Sequence, residues 1–99
     1  MGIDKKNQIL YERFMEREDY GAAMEIGFFM GDYKKIVEAG TREYKRCLEK
    51  KDIRATILYG IRIGKSFKEI ERDLHSVLKT EKERKGATIM IKVLEGRFP

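Results

Sequence analysis

The chain carries a single histidine, His75, the side chain whose ordinary pKa lies nearest neutrality. Glu71 precedes it by one helical turn and Lys79 follows it by one. A helix here would therefore line up a carboxylate, an imidazole and an ammonium group, and Glu71 with His75 would supply half of a metal site. No second cluster supplies the remaining ligands. A charge ladder on a solvated helix face is the expectation, with no metal and no cofactor. Cys47 is the only cysteine, so no intramolecular disulfide can form. It follows the apolar side of its segment beside Leu48, where a thiol packs as a small hydrophobe. With one histidine to serve as base, thiol catalysis is not expected.

The other chemical candidates read the same way. Glu12/Glu16 and Glu69/Asp73 are spaced for one helix face but stand among Lys and Arg, as solvated ion-pairing residues do. Neither Gly27/Gly31 nor Gly60/Gly64 has the four-residue interval that precedes the Gly-Lys-Ser/Thr of a phosphate-binding loop. The expectation is a protein that is not an enzyme.

The elements that would position these residues are set out by internal similarity. The run from Asp19 to Gly31 aligns with the run from Asp52 to Gly64 at a spacing of 33 residues, and Ala55-Thr56-Ile57 recurs as Ala87-Thr88-Ile89 at a spacing of 32. Each apolar segment ends in glycine, a polar residue and an aromatic: Gly31-Asp32-Tyr33, Gly64-Lys65-Ser66-Phe67 and Gly96-Arg97-Phe98. Glycine suits the left-handed position that closes a helix, and Asp32 or Ser66 can accept from the amides that open the next. Ser66 with Glu69 has capping-box spacing. The junction predicts the tight turn of a helical hairpin.

Between the apolar segments, charged segments show helical period. Ile36, Gly40, Tyr44, Cys47 and Leu48 share one face against Arg42, Lys45, Arg46 and Lys50. Phe67, Ile70, Leu74, Val77 and Leu78 form a second stripe, and Ile3, Leu10 and Phe14 a third, opposite Lys6, Glu12, Arg13 and Arg17. The segments 22–30, 55–63 and 87–94 are more ambiguous, because Ile, Thr and Val favour buried strands as well. The pattern predicts one all-α domain over residues 1–99, five or six helices stacked as antiparallel hairpins. The alternative is an α/β fold with three short buried strands.

The junction residues carry a resemblance. Tyr20, Gly31, Asp32 and Tyr33, then Ile53, Gly64 and Phe67, then Gly96 and Phe98, resemble the tetratricopeptide repeat over residues 19–99. The resemblance implies paired helices whose first members line a peptide-binding groove. By position that groove exposes Glu18, Glu25 and Phe29, then Lys51, Arg54, Leu58 and Arg62, then Met90 and Leu94. The second turn has one extra residue, Met24 and Ile57 replace a small residue, and the closing proline is missing. The resemblance implies a protein-interaction adaptor binding through Glu25, Phe29, Arg54, Leu58, Arg62 and Met90.

A second resemblance competes. Gly64-Lys65-Ser66-Phe67-Lys68-Glu69-Ile70 is similar to the step into a helix-turn-helix, with Ser76 to Thr80 as the turn, which implies a small nucleic-acid-binding protein. The net charge of +5 fits either reading, since Lys and Arg alternate with Glu and Asp along most of the chain. The nucleic-acid surface would be Arg42, Lys45, Arg46 and Lys50, with Glu38 and Glu49 diluting it. The run from Lys79 to Lys85 carries acidic residues that repel phosphates.

No apolar run approaches the roughly 18 residues of a membrane span, and no signal-peptide core follows Asp4, Lys5 and Lys6. A cytoplasmic location is expected. The last apolar segment, Ala87 to Leu94, has only Lys92 to offer water. It is expected either inside the domain or buried against a second copy in a homodimer.

Overall fold

The computed structural model describes residues 2–97, with side chains over residues 5–96. Six helices follow in order: α1 (Gly2–Glu16), α2 (Tyr20–Met30), α3 (Tyr33–Glu49), α4 (Ile53–Arg62), α5 (Phe67–Val77) and α6 (Glu81–Arg97). The described residues contain no strand, so the fold is all-α and the α/β alternative falls. The segment in α4 shows why. It buries Thr56, Ile57 and Gly60, a helical spacing, where a half-buried strand would bury every second residue. Asp52 opens this helix by accepting from the Ala55 amide at 3.2 Å. Thr56 donates its hydroxyl back to the Asp52 carbonyl at 2.7 Å, so a fully buried polar group is satisfied inside the helix. No helix among the described residues is long and apolar enough to cross a membrane.

The helix boundaries follow from local chemistry. Gly31 and Gly64 adopt left-handed φ values of 66° and 87° after α2 and α4. Asp32 caps α3 by accepting from the Lys35 amide at 3.3 Å. Ser66 and Glu69 form the reciprocal capping box expected at α5. The third junction differs. Gly96 does not close its helix but lies within α6, and Phe98 lies outside the described residues. The charged run before Ala87 also belongs to α6 from Glu81 onward. Thr80 and Glu83 cap each other, the Glu83 amide donating to the Thr80 hydroxyl and the Thr80 amide to the Glu83 carboxylate, both at 3.2 Å. Two turns use non-glycine residues in the left-handed region: Glu18 at φ 60° before α2 and Lys51 at φ 59° before α4.

The chain forms two compact units, residues 1–43 and 44–99, with the division inside α3. In the first, α1 packs on α2, and Tyr11, Tyr20, Ala23, Met24, Ile36 and Ala39 are buried. Of the expected stripe of Ile3, Leu10 and Phe14, the placement of Leu10 is corrected here. Leu10 is 39% exposed while Tyr11 is 4% exposed, Phe14 is half-buried, and the Ile3 side chain lies outside the described ones. The tyrosine turns inward because its hydroxyl finds a partner there, donating to Glu38 Oε1 at 2.7 Å. The α2 helix comes close to α3 at Gly27, where an added Cβ would stand 3.1 Å from the Ile36 nitrogen.

The second unit has a continuous core of Tyr44, Ile57, Ile70, Leu74, Leu78, Ala87 and Ile91. Its α5 packs on α4 and α6, and α4 also meets α6. The stripes expected for the latter part of α3 and for α5 are the faces found inside. Tyr44, Cys47, Ile70, Leu74 and Leu78 are buried, with Leu48, Phe67 and Val77 half-buried against them. Burial of an apolar side chain of this size stabilises by roughly 1.5–3 kcal/mol. These faces therefore decide the orientation of the helices that carry them.

Candidate functional site

Each unit holds a buried tyrosine bound to a carboxylate with a lysine over its ring. In the first, Tyr11 donates to Glu38 at 2.7 Å, and Lys35 Nζ lies 5.5 Å from the ring centroid while pairing with Asp32 at 3.1 Å. In the second, Tyr44 donates to Asp73 at 2.7 Å, and Lys65 Nζ lies 5.1 Å from the ring and 3.6 Å from Asp73. A tyrosine beside a lysine can serve as a proton donor when its pKa falls toward neutrality. Here burial, and then the hydrogen bond to the carboxylate, push both hydroxyls well above their ordinary value. These clusters hold neutral tyrosines as packing groups with a satisfied polar end. Tyr11 and Tyr44 also stand 33 residues apart in the sequence, a correspondence that the apolar segments alone do not reveal.

The remaining titratable candidates are placed as follows. The ladder through His75 stops short, because α5 ends at Val77 and leaves Lys79 beyond it. His75 Nε2 instead lies 3.0 Å from Thr88 Oγ1 on α6. No group of three metal-ligating side chains comes together among the described residues. Cys47 is buried. Glu69 and Asp73 are not a solvated pair: Glu69 completes the cap of α5, which holds its carboxyl below the usual range, and Asp73 receives Tyr44 and Lys65. Glu12 accepts from the Gln8 side chain at 2.9 Å.

The residues expected to meet a partner fall on three helices. Glu25 and Phe29 stand one turn apart on α2, both exposed, Phe29 at 76%. Phe28 at 51% and Tyr33 at 63% accompany it around the Gly31 turn, and neither was legible as exposed from the apolar pattern. On α4, Arg54 and Arg62 are exposed and Leu58 is half-buried. Arg62 is steadied by Tyr59, its Cζ 5.4 Å from the ring centroid. Met90 on α6 is half-buried against the core of the second unit. Glu18 and Lys51, also placed on the groove by position, are the two left-handed turn residues.

The basic stripe of α3 is partly engaged. Arg42, Lys45 and Lys50 are exposed, but Arg42 rests over the Tyr20 ring at 5.8 Å, and Arg46 is half-buried and already has an interaction partner. The last apolar segment divides by face. Ala87 and Ile91 are buried in the core of the second unit, whereas Ile89 at 63% and Val93 at 52% face outward.

Two clefts open between α5 and α6. One, of about 380 Å³, is lined by His75, Glu81, Arg84, Lys85, Thr88 and Ile89. The other, of about 270 Å³, is lined by Phe67, Lys68, Glu71, Ile91, Lys92 and Glu95. Comparison with protein-family models, with curated proteins and with solved structures gives no match.

Proposed function

We propose that this protein is a non-enzymatic interaction adaptor that docks a protein partner on exposed apolar side chains, in the manner the tetratricopeptide resemblance implies. The observation that carries this is the exposure of Phe29 on α2. That helix has one charged residue, Glu25, among its eleven, and a helix apolar on all sides is ordinarily buried all round. Only the side bearing Tyr20, Ala23, Met24 and Gly27 is buried. Phe28, Phe29 and Tyr33 stay in water at a cost that a partner would remove, and aromatic anchors of this kind dominate interface energetics. Within the first unit Glu25 stands one turn from Phe29, and within the second Arg54 and Arg62 on α4, with Leu58 and with Met90 on α6, are the partner-binding residues of this reading.

A homodimer is one form this adaptor can take, with Ile89 and Val93 as the outward part of the Ala87–Leu94 segment. The nucleic-acid alternative through Arg42, Lys45, Arg46 and Lys50 would show a steep loss of affinity with salt.

The test places a photo-crosslinking amino acid at Phe29 in the source cells, and in parallel at exposed Lys6 as a control. A discrete adduct formed at position 29 and not at position 6 supports the adaptor. Equal, diffuse labelling at both positions would overturn it, and an adduct with nucleic acid would turn attention to α3.

A further inference from the structure

We infer that the larger cleft between α5 and α6 is a binding site for a small phosphate monoester. It has the size of a ligand pocket, about 380 Å³. Three half-buried side chains line it, His75, Arg84 and Thr88, with exposed Lys85, Glu81 and Ile89 around them.

The cations are arranged and uncommitted. Arg84 Nε donates to the Leu78 carbonyl at 3.0 Å, which fixes the guanidinium plane while leaving its terminal nitrogens to donate elsewhere. Among the described residues neither Arg84 nor Lys85 has a carboxylate within 4.0 Å. Two half-buried or rim cations without a counter-ion raise the local potential, and an anion entering the cleft would lower it. His75 and Thr88 add a switchable donor. When Nε2 carries the proton it donates to Thr88 Oγ1, and the hydroxyl hydrogen is then available to a ligand.

The donors differ in kind and origin, a guanidinium, an ammonium and a hydroxyl. A tetrahedral phosphate offers three acceptor oxygens to such a set, where a planar carboxylate offers two. Ile89 gives the organic part an apolar wall. Glu81, exposed at the rim, is the one acidic side chain among the residues lining the cleft.

The probe is phenyl phosphate, titrated into the isotope-labelled protein at constant ionic strength and followed by NMR, with inorganic phosphate and benzyl alcohol in separate arms. Saturable shifts centred on His75, Arg84 and Thr88 are expected with phenyl phosphate. Saturation by inorganic phosphate alone, at equal affinity, would assign the site to the free anion. Lys85→Glu should weaken binding about tenfold or more, the loss expected for one charge-assisted contact. Glu81→Gln should tighten it. Lys82→Glu makes the same charge change on α6 outside the cleft and should leave affinity unaltered. Non-saturating shifts, saturation by benzyl alcohol, or equal weakening by Lys82→Glu and Lys85→Glu would overturn the site. Lys85 and Lys82 are exposed, so neither test depends on a variant that risks the fold.

Discussion

Gly60 on α4 and Ile70 on α5 are in such close contact that a methyl group on Gly60 would fall 2.7 Å from Ile70 Cδ1 and 2.9 Å from Tyr44 Cε1. Neither neighbour can yield cheaply. Ile70 is fully buried, and the Tyr44 ring is tethered through its hydroxyl to Asp73. Gly60→Ala should therefore destabilise by about 1–3 kcal/mol, the usual cost of overpacking, less the gain in helix propensity. Gly27→Ala meets Ile36 at 3.1 and 3.2 Å and should cost less. Gly86 in α6 has nothing within 4 Å, so Gly86→Ala should stabilise by up to about 1 kcal/mol. Urea unfolding of the three variants checks the order, and a Gly60→Ala protein as stable as Gly86→Ala would contradict the packing described.

Lys51 closes α3 in the left-handed region at φ 59°, a conformation that costs a side-chain-bearing residue about 1–2 kcal/mol. Lys51→Gly should raise stability by up to about 1 kcal/mol, less the added entropy of the unfolded chain. Glu18→Gly, at φ 60°, should act in the same direction. A fall in melting temperature for both variants would show that the side chains contribute more than the backbone strain.

Much of this framework is legible in the sequence because it depends on neighbours. The Gly31 and Gly64 turns, the Ser66–Glu69 box and the α3 and α5 stripes all arise from residues within one turn of each other. The inward turn of Tyr11 is not of this kind. Its partner Glu38 lies 27 residues away, and periodicity alone favours Leu10. The start of α6 was hidden differently: Thr80 and Glu83 have capping-box spacing, but they sit in a charged run that reads as a solvated segment. The strand-or-helix ambiguity of 55–63 reflects β-branched residues that fit either backbone, and burial of Thr56, Ile57 and Gly60 settles it. The exposure of Phe28 and Tyr33 depends on which side of α2 and α3 is covered, which no local pattern encodes.

Both buried tyrosines are held above the ordinary value of 10.0, first by burial and then by their carboxylate partners. The unfolded chain thus ionises before the folded one. Stability from these groups is complete below about pH 10 and declines as pH rises above it. Tyr44→Phe removes one of the two titrations and the bond to Asp73. It should lower stability at pH 7 by about 1 kcal/mol and flatten the alkaline decline. At the acid end, the capping carboxylates Asp32, Glu69 and Glu83 are held below their ordinary values by the hydrogen bonds they accept. Their contribution is present above about pH 4.5 and is lost as pH falls through the lowered values. Melting temperatures from pH 3 to pH 11 check both limbs, and an alkaline limb of equal slope in Tyr44→Phe would show that other groups govern it.

The adaptor reading makes its sharpest demand on α4, where Arg54 and Arg62 are exposed and Leu58 is half-buried. Replacing both arginines with alanine removes no core contact. It removes the packing of Arg62 on Tyr59, worth about 0.5–1 kcal/mol at an exposed site. The double variant should therefore fold with a melting temperature within a few degrees of the parent. Its affinity for the partner captured at Phe29 should fall about tenfold or more, since interfacial arginines are among the residues whose truncation costs most. Phe29→Ser should weaken the same partner while leaving the fold intact, because that side chain is 76% exposed. Loss of binding in Phe29→Ser with unchanged binding in the arginine variant would confine the interface to α2. Unchanged affinity in both would remove the adaptor surface altogether.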